Sequence, residues 1–268
     1  MYQNNRLRRP ATPIRPTRKT RWQLLVAAVA AVAVIGLGGY VLVGQKDNTK
    51  GAAGGGPQDG APAFDNQRLS TSDPASIWVV VNKKRPLGPK TYEPTDLRTP
   101  NVPLRRSAAA PEMQIRGEAA TALEQLVAAA KADNIHLMLA SGYRSYDTQI
   151  SVYNSEVRAY GQAAADQESA RPGHSEHQTG LAADLEPTSK KCEIEDCFAD
   201  TPEGKWLAAN AYTYGFIIRY TPDKIAITGY KYEPWHIRYI GPDLAAEMHN
   251  KKIQTLEEFF NLPAAAEY

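Results

Sequence analysis

No acidic residue precedes the first long apolar run of this chain, and no charge of either sign lies within it. The opening 21 residues hold Arg6, Arg8, Arg9, Arg15, Arg18, Lys19 and Arg21, and Leu24 to Gly44 then runs 21 residues uncharged. A bilayer-crossing helix needs about 20 apolar residues, whereas a secretory signal core usually has about 7–15. No clear A-x-A site closes the run, and it lacks a cysteine that could take a lipid and the polar face of a buried soluble helix. The expectation is a basic cytoplasmic tail over 1–23 and a transmembrane anchor over 24–44. Basic residues stay inside, so the N-terminus is cytoplasmic and the rest of the chain lies outside the cell membrane.

Cysteine is nearly absent. Cys192 and Cys197 are the only two, both within the charged stretch KCEIEDC on the expected outer side. An even count in an oxidising compartment points to a local disulfide. A pair of zinc thiolates is the alternative, but two ligands without a second pair or a nearby His are too few for a closed structural site.

Net positive charge is also absent once the tail is set aside. Of 31 basic residues seven belong to the tail, leaving 24 against 29 acidic ones, a net of −5 for the remainder. The basic pI is then a topology signal, and nucleic acid is not an implied partner. No internal repeat is present. No serine has a Lys three residues later, which removes a serine carboxypeptidase of the penicillin-binding type.

What is there falls into two parts. Residues 45–76 are mostly Gly, Pro, Ala, Asp, Asn and Gln, including GAAGGGPQDGAP, which reads as a flexible tether. Residues 77–268 are long enough for one domain with a proper core. Ile77 to Val81 is β-branched and predicts a strand; the Pro-rich stretch from Arg85 to Pro111 predicts an extended arm. Leu123, Leu126, Val127 and Ala130 keep helical spacing within a helix over 117–132, and 135–140 predicts a strand. Ser145 caps a second helix that Gly161 ends. Thr201-Pro202 opens a third, closed by Gly215. Strands are expected at 181–185, 216–220 and 235–239, with one or two short helices in the tail. Strands and helices do not alternate regularly, so the expected class is α+β, a small antiparallel sheet with helices packed around it.

Five histidines are available. His136 reads as a core residue of an apolar strand and His249 as a surface residue of a terminal helix. His177 and Asp184 lie seven positions apart with Gly180 between them. A loop turning at Gly180 into a strand can return the carboxylate towards the imidazole; a structural His–Asp hydrogen bond is the alternative. In Glu233-Pro234-Trp235-His236, Pro234 forbids a regular helix and biases Glu233 to extended backbone. The imidazole then enters from a strand, with a carboxylate close by. Two imidazoles and a carboxylate plus a further Glu are the inventory of a catalytic zinc site with its base.

Ser175-x-His177-x-x-Gly180-x-Ala182-x-Asp184 followed by Glu233-x-x-His236 resembles the VanY-type D-alanyl-D-alanine carboxypeptidases. They belong to the zinc peptidases of the lysostaphin, D-Ala-D-Ala carboxypeptidase and hedgehog-like group. The resemblance extends to Val81-Asn82-Lys83 and to Ser141-Gly142-Tyr143-Arg144-Ser145, and so spans nearly all of 77–268. It implies one Zn2+ held by His177, Asp184 and His236 in a cleft on the sheet, with Glu233 as base for attack by the metal's water. His174 falls outside the pattern. The implied substrate is a peptidoglycan stem peptide that loses its terminal D-alanine. Arg144, Gln149 and Ser175 would line the terminal-residue pocket, and Trp235 would form a wall. An L,D-carboxypeptidase, an endopeptidase of the same fold and a non-catalytic wall-binding module are the alternatives. The Cys192–Cys197 loop is no part of the motif.

Overall fold

The computed structural model describes residues 63–268, and the tail, the uncharged run at 24–44 and most of the expected tether lie outside the described residues. Among the described residues, no helix is long and apolar enough to cross a membrane.

Two short strands, β1 (Leu97–Arg98) and β2 (Ile115–Arg116), pair antiparallel and lead into α1 (Gly117–Ala132). Next come β3 (Leu137–Ser141), helices α2 (Tyr146–Tyr160) and α3 (Gln162–Glu168), which pack on each other, and β4 (Ala182–Pro187). Then follow α4 (Pro202–Asn210), β5 (Phe216–Tyr220), α5 (Ile225–Thr228), β6 (Glu233–Tyr239), α6 (Pro242–Lys251) and α7 (Leu256–Phe259). The main sheet has the order β3-β4-β6-β5, antiparallel throughout. The architecture is α+β, as composition and pattern suggest.

The caps explain the helix limits. Ser145 accepts from the Thr148 amide at 3.2 Å, and Thr201 Oγ1 accepts from the Gly204 amide at 3.0 Å ahead of Pro202. The apolar stripe of α1, Leu123, Leu126, Val127 and Ala130, packs on Leu139, Ala183, Leu185 and Ile237 of the sheet. Strand alternation then sends Asp184 and His236 to the opposite face. Burial of the inward set gives the sheet one fixed register, because a slip of one residue would turn the apolar set outward.

Three expectations are corrected. Ile77–Val81 is not a strand but an irregular, largely buried segment whose carbonyls are taken by arginine side chains. Arg238 Nη2 donates to the carbonyls of Ile77 at 3.1 Å and Val79 at 2.8 Å, and Arg85 Nε to that of Val80 at 3.2 Å. Residues 63–76, read as the end of the tether, pack on the domain. Phe64 stacks on Trp78 at 5.6 Å, Leu69 joins the same cluster, and Arg68 pairs with Asp243 at 3.1 Å. Their average composition is that of a linker, but two apolar side chains suffice to dock them on Trp78 and Phe259. His136 is exposed, since the edge strand begins only at Leu137.

Candidate metal centre and substrate cleft

Asp184 on β4 stands opposite His236 on β6. His177 lies on the single turn Glu176–Thr179, which Gly180 ends at φ +66°. A Cβ at Gly180 would stand 2.9 Å from the side chains of Arg116 and Leu97, so both backbone and space demand glycine. That turn returns the chain into β4 and carries Asp184 to His177.

His177 Nδ1 is 2.6 Å from the carbonyl oxygen of Gly142. A carbonyl only accepts, so Nδ1 holds the proton and Nε2 keeps its lone pair. Gly142 itself is squeezed against β2: a Cβ there would fall 2.4 Å from the Gln114 carbonyl oxygen. His177 Nε2 lies 3.3 Å from Asp184 Oδ2. His236 is turned the other way, with Nδ1 3.2 Å from Asp184 Oδ1 and 3.6 Å from Glu233 Oε2. The two rings meet edge to face at 5.0 Å.

These residues fit a metal ion. One nitrogen or oxygen from each of His177, Asp184 and His236 lies within 4.8 Å of the others, and all three residues are buried. Ligands held tetrahedrally at about 2.0–2.1 Å stand roughly 3.3 Å apart, close to the separations seen. Asp184 Oδ1 is buried with no hydrogen-bond donor of its own, an orphan that a cation would satisfy.

The electrostatics follow from burial. Burial opposes charge on Asp184, but His177 and His236 outweigh it and hold the carboxyl well below the usual range. Burial would also lower His236, yet Asp184 and Glu176 lift it to about 9. Burial lowers His177, with Asp184 opposing. Glu233 is pushed up to about 8 by burial and by Asp184, with His236 and Arg144 opposing. A carboxyl raised in this way is matched to taking and returning a proton near neutral pH.

A cleft of about 710 Å³ opens over the three residues. Arg144, Ser175, Glu233 and Trp235 line it, with Tyr220 and Tyr230; Val152 and Tyr160 of α2 and Ile194 of the cysteine loop form its outer part. Arg144 makes no ion pair among the described residues. It donates instead to Gln149 Oε1 and Ser141 Oγ, each at 3.2 Å. Gln149 is placed differently from expectation: fully buried behind Arg144, it does not line the cleft. Its amide nitrogen is taken by Ser169 Oγ at 3.2 Å and by the Ala170 carbonyl at 2.7 Å, so it holds Arg144 rather than offering a donor to a ligand. Ser175 is buried at the cleft floor, and Trp235 is half-buried in its wall.

The Cys192–Cys197 disulfide is formed, with Cα atoms 5.6 Å apart. Arg105 clamps its loop to the sheet, reaching Glu193 at 2.9 Å and Glu186 of β4 at 3.2 Å. His174 turns away from the cluster, its Nδ1 2.9 Å from the Asn82 carbonyl oxygen. His249 is exposed and stacks on Tyr212.

Sequence reasoning missed Glu176, Arg219, Arg238 and Glu257, a fully buried charge network beneath the site. A signal was present: Arg219 in FIIRY and Arg238 in HIRY are charges inside apolar strands, and such charges are buried only when paired.

The profile of the VanY family, described as D-alanyl-D-alanine carboxypeptidase, matches residues 112–242. The carboxypeptidase candidate YodJ of Bacillus subtilis (strain 168) is 45% identical over 188 residues, covering 70% of this chain and 68% of YodJ. The solved structure of the LdcB LD-carboxypeptidase is 45% identical with a TM-score of 0.66, covering 70% of this chain and 87% of LdcB. The vancomycin-resistance D,D-pentapeptidase VanY of a VanB-type cassette, solved with Zn(II), is 32% identical with a TM-score of 0.57 over 70% of this chain and 99% of its own. VanYB has also been solved with D-Ala-D-Ala, at the same identity and TM-score. Motif, fold and extent of similarity agree: the chain belongs to the VanY family of D-alanyl-D-alanine carboxypeptidases.

Proposed function

We propose that this protein is a zinc-dependent carboxypeptidase that removes the terminal D-alanine from peptidoglycan stem peptides. The observation that carries the reading is the convergence of His177 Nε2, Asp184 and His236 Nδ1, with Glu233 Oε2 3.6 Å from that same Nδ1. His177, Asp184 and His236 would hold a zinc ion, which would supply a Lewis acid for the scissile carbonyl and make water acidic enough to be deprotonated near neutral pH.

The chain's own residues do the rest. Glu233 takes the proton of the attacking water and returns it to the leaving amine. Arg144, braced by Gln149 and Ser141, receives the substrate's terminal carboxylate with a planar pair of donors. Ser175 and Trp235 bound the space for the last residue. The similarity to VanY and LdcB points to cell-wall peptides. A disulfide and a basic tail before an uncharged run support a domain tethered outside the cytoplasmic membrane.

An L,D-carboxypeptidase acting on tetrapeptide stems is the second reading, favoured by the higher identity to LdcB than to VanY. The deciding experiment incubates the purified protein with penta- and tetrapeptide muropeptides and weighs the products. Loss of one alanine from the pentapeptide alone makes it D,D-specific; loss from the tetrapeptide alone makes it L,D-specific. Cleavage of neither would overturn the carboxypeptidase reading.

A further inference from the structure

We propose that Glu176 is the positioning residue for His236: its carboxylate accepts the Nε2 proton of that imidazole and so leaves the Nδ1 lone pair turned to the metal. The inference rests on the metal-site reading above and assigns a role to a residue that the motif does not require.

Glu176 is fully buried, and a lone ionised carboxylate there would be strongly disfavoured. Two guanidinium groups hold it in place through a single oxygen: Arg219 Nε donates to Oε1 at 2.8 Å and Arg238 Nη1 at 2.9 Å. The other oxygen, Oε2, has no hydrogen-bond partner, and neither has His236 Nε2. These two buried orphans face each other at 3.5 Å.

An ionised carboxylate can only accept, so the imidazole must donate, and the proton of a neutral His236 then sits on Nε2. The lone pair falls on Nδ1, the atom that faces Asp184 Oδ1 at 3.2 Å. His177 is set in the opposite tautomer by a neutral acceptor, the Gly142 carbonyl. The two imidazoles therefore use opposite nitrogens and different orienting groups. A charged acceptor also raises the basicity of the ligand it orients.

The carboxylate is itself bolted to distant parts of the chain. Arg219 pairs with both oxygens of Glu257 on α7, at 3.0 and 2.8 Å, and Glu257 accepts from Asn82, just after the Ile77–Val81 segment, at 2.9 Å. Arg238 lies two residues beyond His236 on β6. Strand β6, the segment at Asn82 and the last helix thus anchor Glu176 through Oε1 and leave Oε2 turned to His236.

Chelator-competition titration of the full chain with zinc tests this. Glu176→Gln should weaken affinity by about 10–100-fold, the usual effect of losing such an orienting group. Asp184→Asn is the control on the metal site and should weaken it more. If neither substitution changes affinity, the metal reading itself falls. If Asp184→Asn does and Glu176→Gln does not, the positioning role is overturned while the metal site stands. Glu257→Gln disturbs the same Arg219 without touching His236, so it should lower the melting temperature but leave zinc affinity near wild type. An equal loss of affinity in Glu257→Gln and Glu176→Gln would overturn the proposal, because network integrity would then set affinity. Glu176→Gln can also fail to fold, so the wild type supplies an independent measurement. In long-range 1H–15N spectra of the zinc-loaded full chain, His236 should carry its proton on Nε2. A proton on Nδ1 overturns the assignment.

Discussion

Asp184 faces His236 across the β4–β6 ladder and divides its carboxylate between two imidazoles, Oδ1 lying 3.2 Å from His236 Nδ1 and Oδ2 3.3 Å from His177 Nε2. A carboxylate shared in this way cannot be replaced on either side without stranding the other. Exhaustive chelation should therefore abolish activity, and zinc should restore it. His177→Ala, Asp184→Ala and His236→Ala should each lose the metal. A ligand that binds only the native state at 100 times its Kd adds about 2.7 kcal/mol. Zinc should accordingly raise the melting temperature of the wild type and of none of the three variants, as scanning calorimetry will read.

Glu233 stands beside the candidate ligands, 3.6 Å from His236 Nδ1, without belonging to the group that converges. Glu233→Ala should keep zinc, measured by metal content, and lose about 10²–10⁴-fold in turnover, the usual range for a general acid–base group. Near-normal turnover would remove Glu233 as proton acceptor.

Protons compete with the ion at His236. Asp184 and Glu176 lift that imidazole to about 9, so chelator-treated protein should carry it protonated at neutral pH. A raised pKa stabilises the fold fully below the unfolded value of about 6.5 and ceases to do so as pH rises through about 9. Zinc binding has the opposite sign, because the ligand must be deprotonated. Titration calorimetry in buffers of different ionisation enthalpy should show proton release on zinc binding between about pH 7 and 8, and apparent affinity that falls on acidification.

Terminal-carboxylate recognition is the role proposed for Arg144, whose guanidinium lines the cleft without an ion pair among the described residues. Arg144→Lys keeps the charge but loses the planar fork. A charged hydrogen bond contributes about 1.5–3 kcal/mol, so kcat/KM for free-acid peptides should fall roughly 10–100-fold. C-terminally amidated peptides should react slowly with the wild type and lose little more in the variant. Equal cleavage of acid and amide by the wild type would show that the carboxylate is not read and would favour an endopeptidase.

Removing the Cys192–Cys197 bridge should affect stability more than chemistry. Closing so short a loop is worth about 2 kcal/mol by the chain-entropy relation. The double Ser variant should melt several degrees lower, about 4–8 °C for a domain of this size. Zinc content should not change, since neither cysteine belongs to the metal group. Because Ile194 of the same loop lines the cleft, KM for stem peptides should rise while kcat holds.

Local chemistry alone was enough for much of the domain. Gly117–Ala132 carries its apolar stripe in sequence, Ser145 and Thr201 announce the two helix starts, and the alternation Leu181, Ala183, Leu185 against Asp184 states which way the carboxylate points. Gly180 between His177 and Asp184 marked the reversal, and its left-handed φ is a conformation that few other residues adopt cheaply. Ile77–Val81 misled because β-branched residues suit any buried extended backbone, while a strand requires a neighbour to pair with. Here the neighbour is the side chain of Arg238, 159 and 161 positions from the carbonyls it reaches, and no local pattern names it.

The sequence by itself determined the candidate ligand types, the turn that joins two of them, the helix starts at Ser145 and Thr201 and the proximity of the two cysteines, because each depends on residues within a few positions of one another; the helix opened at Pro202 ends at Asn210, and a separate turn leads on to Gly215. Only the tertiary structure decided which imidazole nitrogen faces the cluster, that Gln149 lies behind Arg144, and that Glu176 is buried between Arg219 and Arg238. Those facts depend on β4, β5 and β6 being brought side by side. A buried charge can be told from an exposed one only when its partners, more than 40 positions distant, are in place.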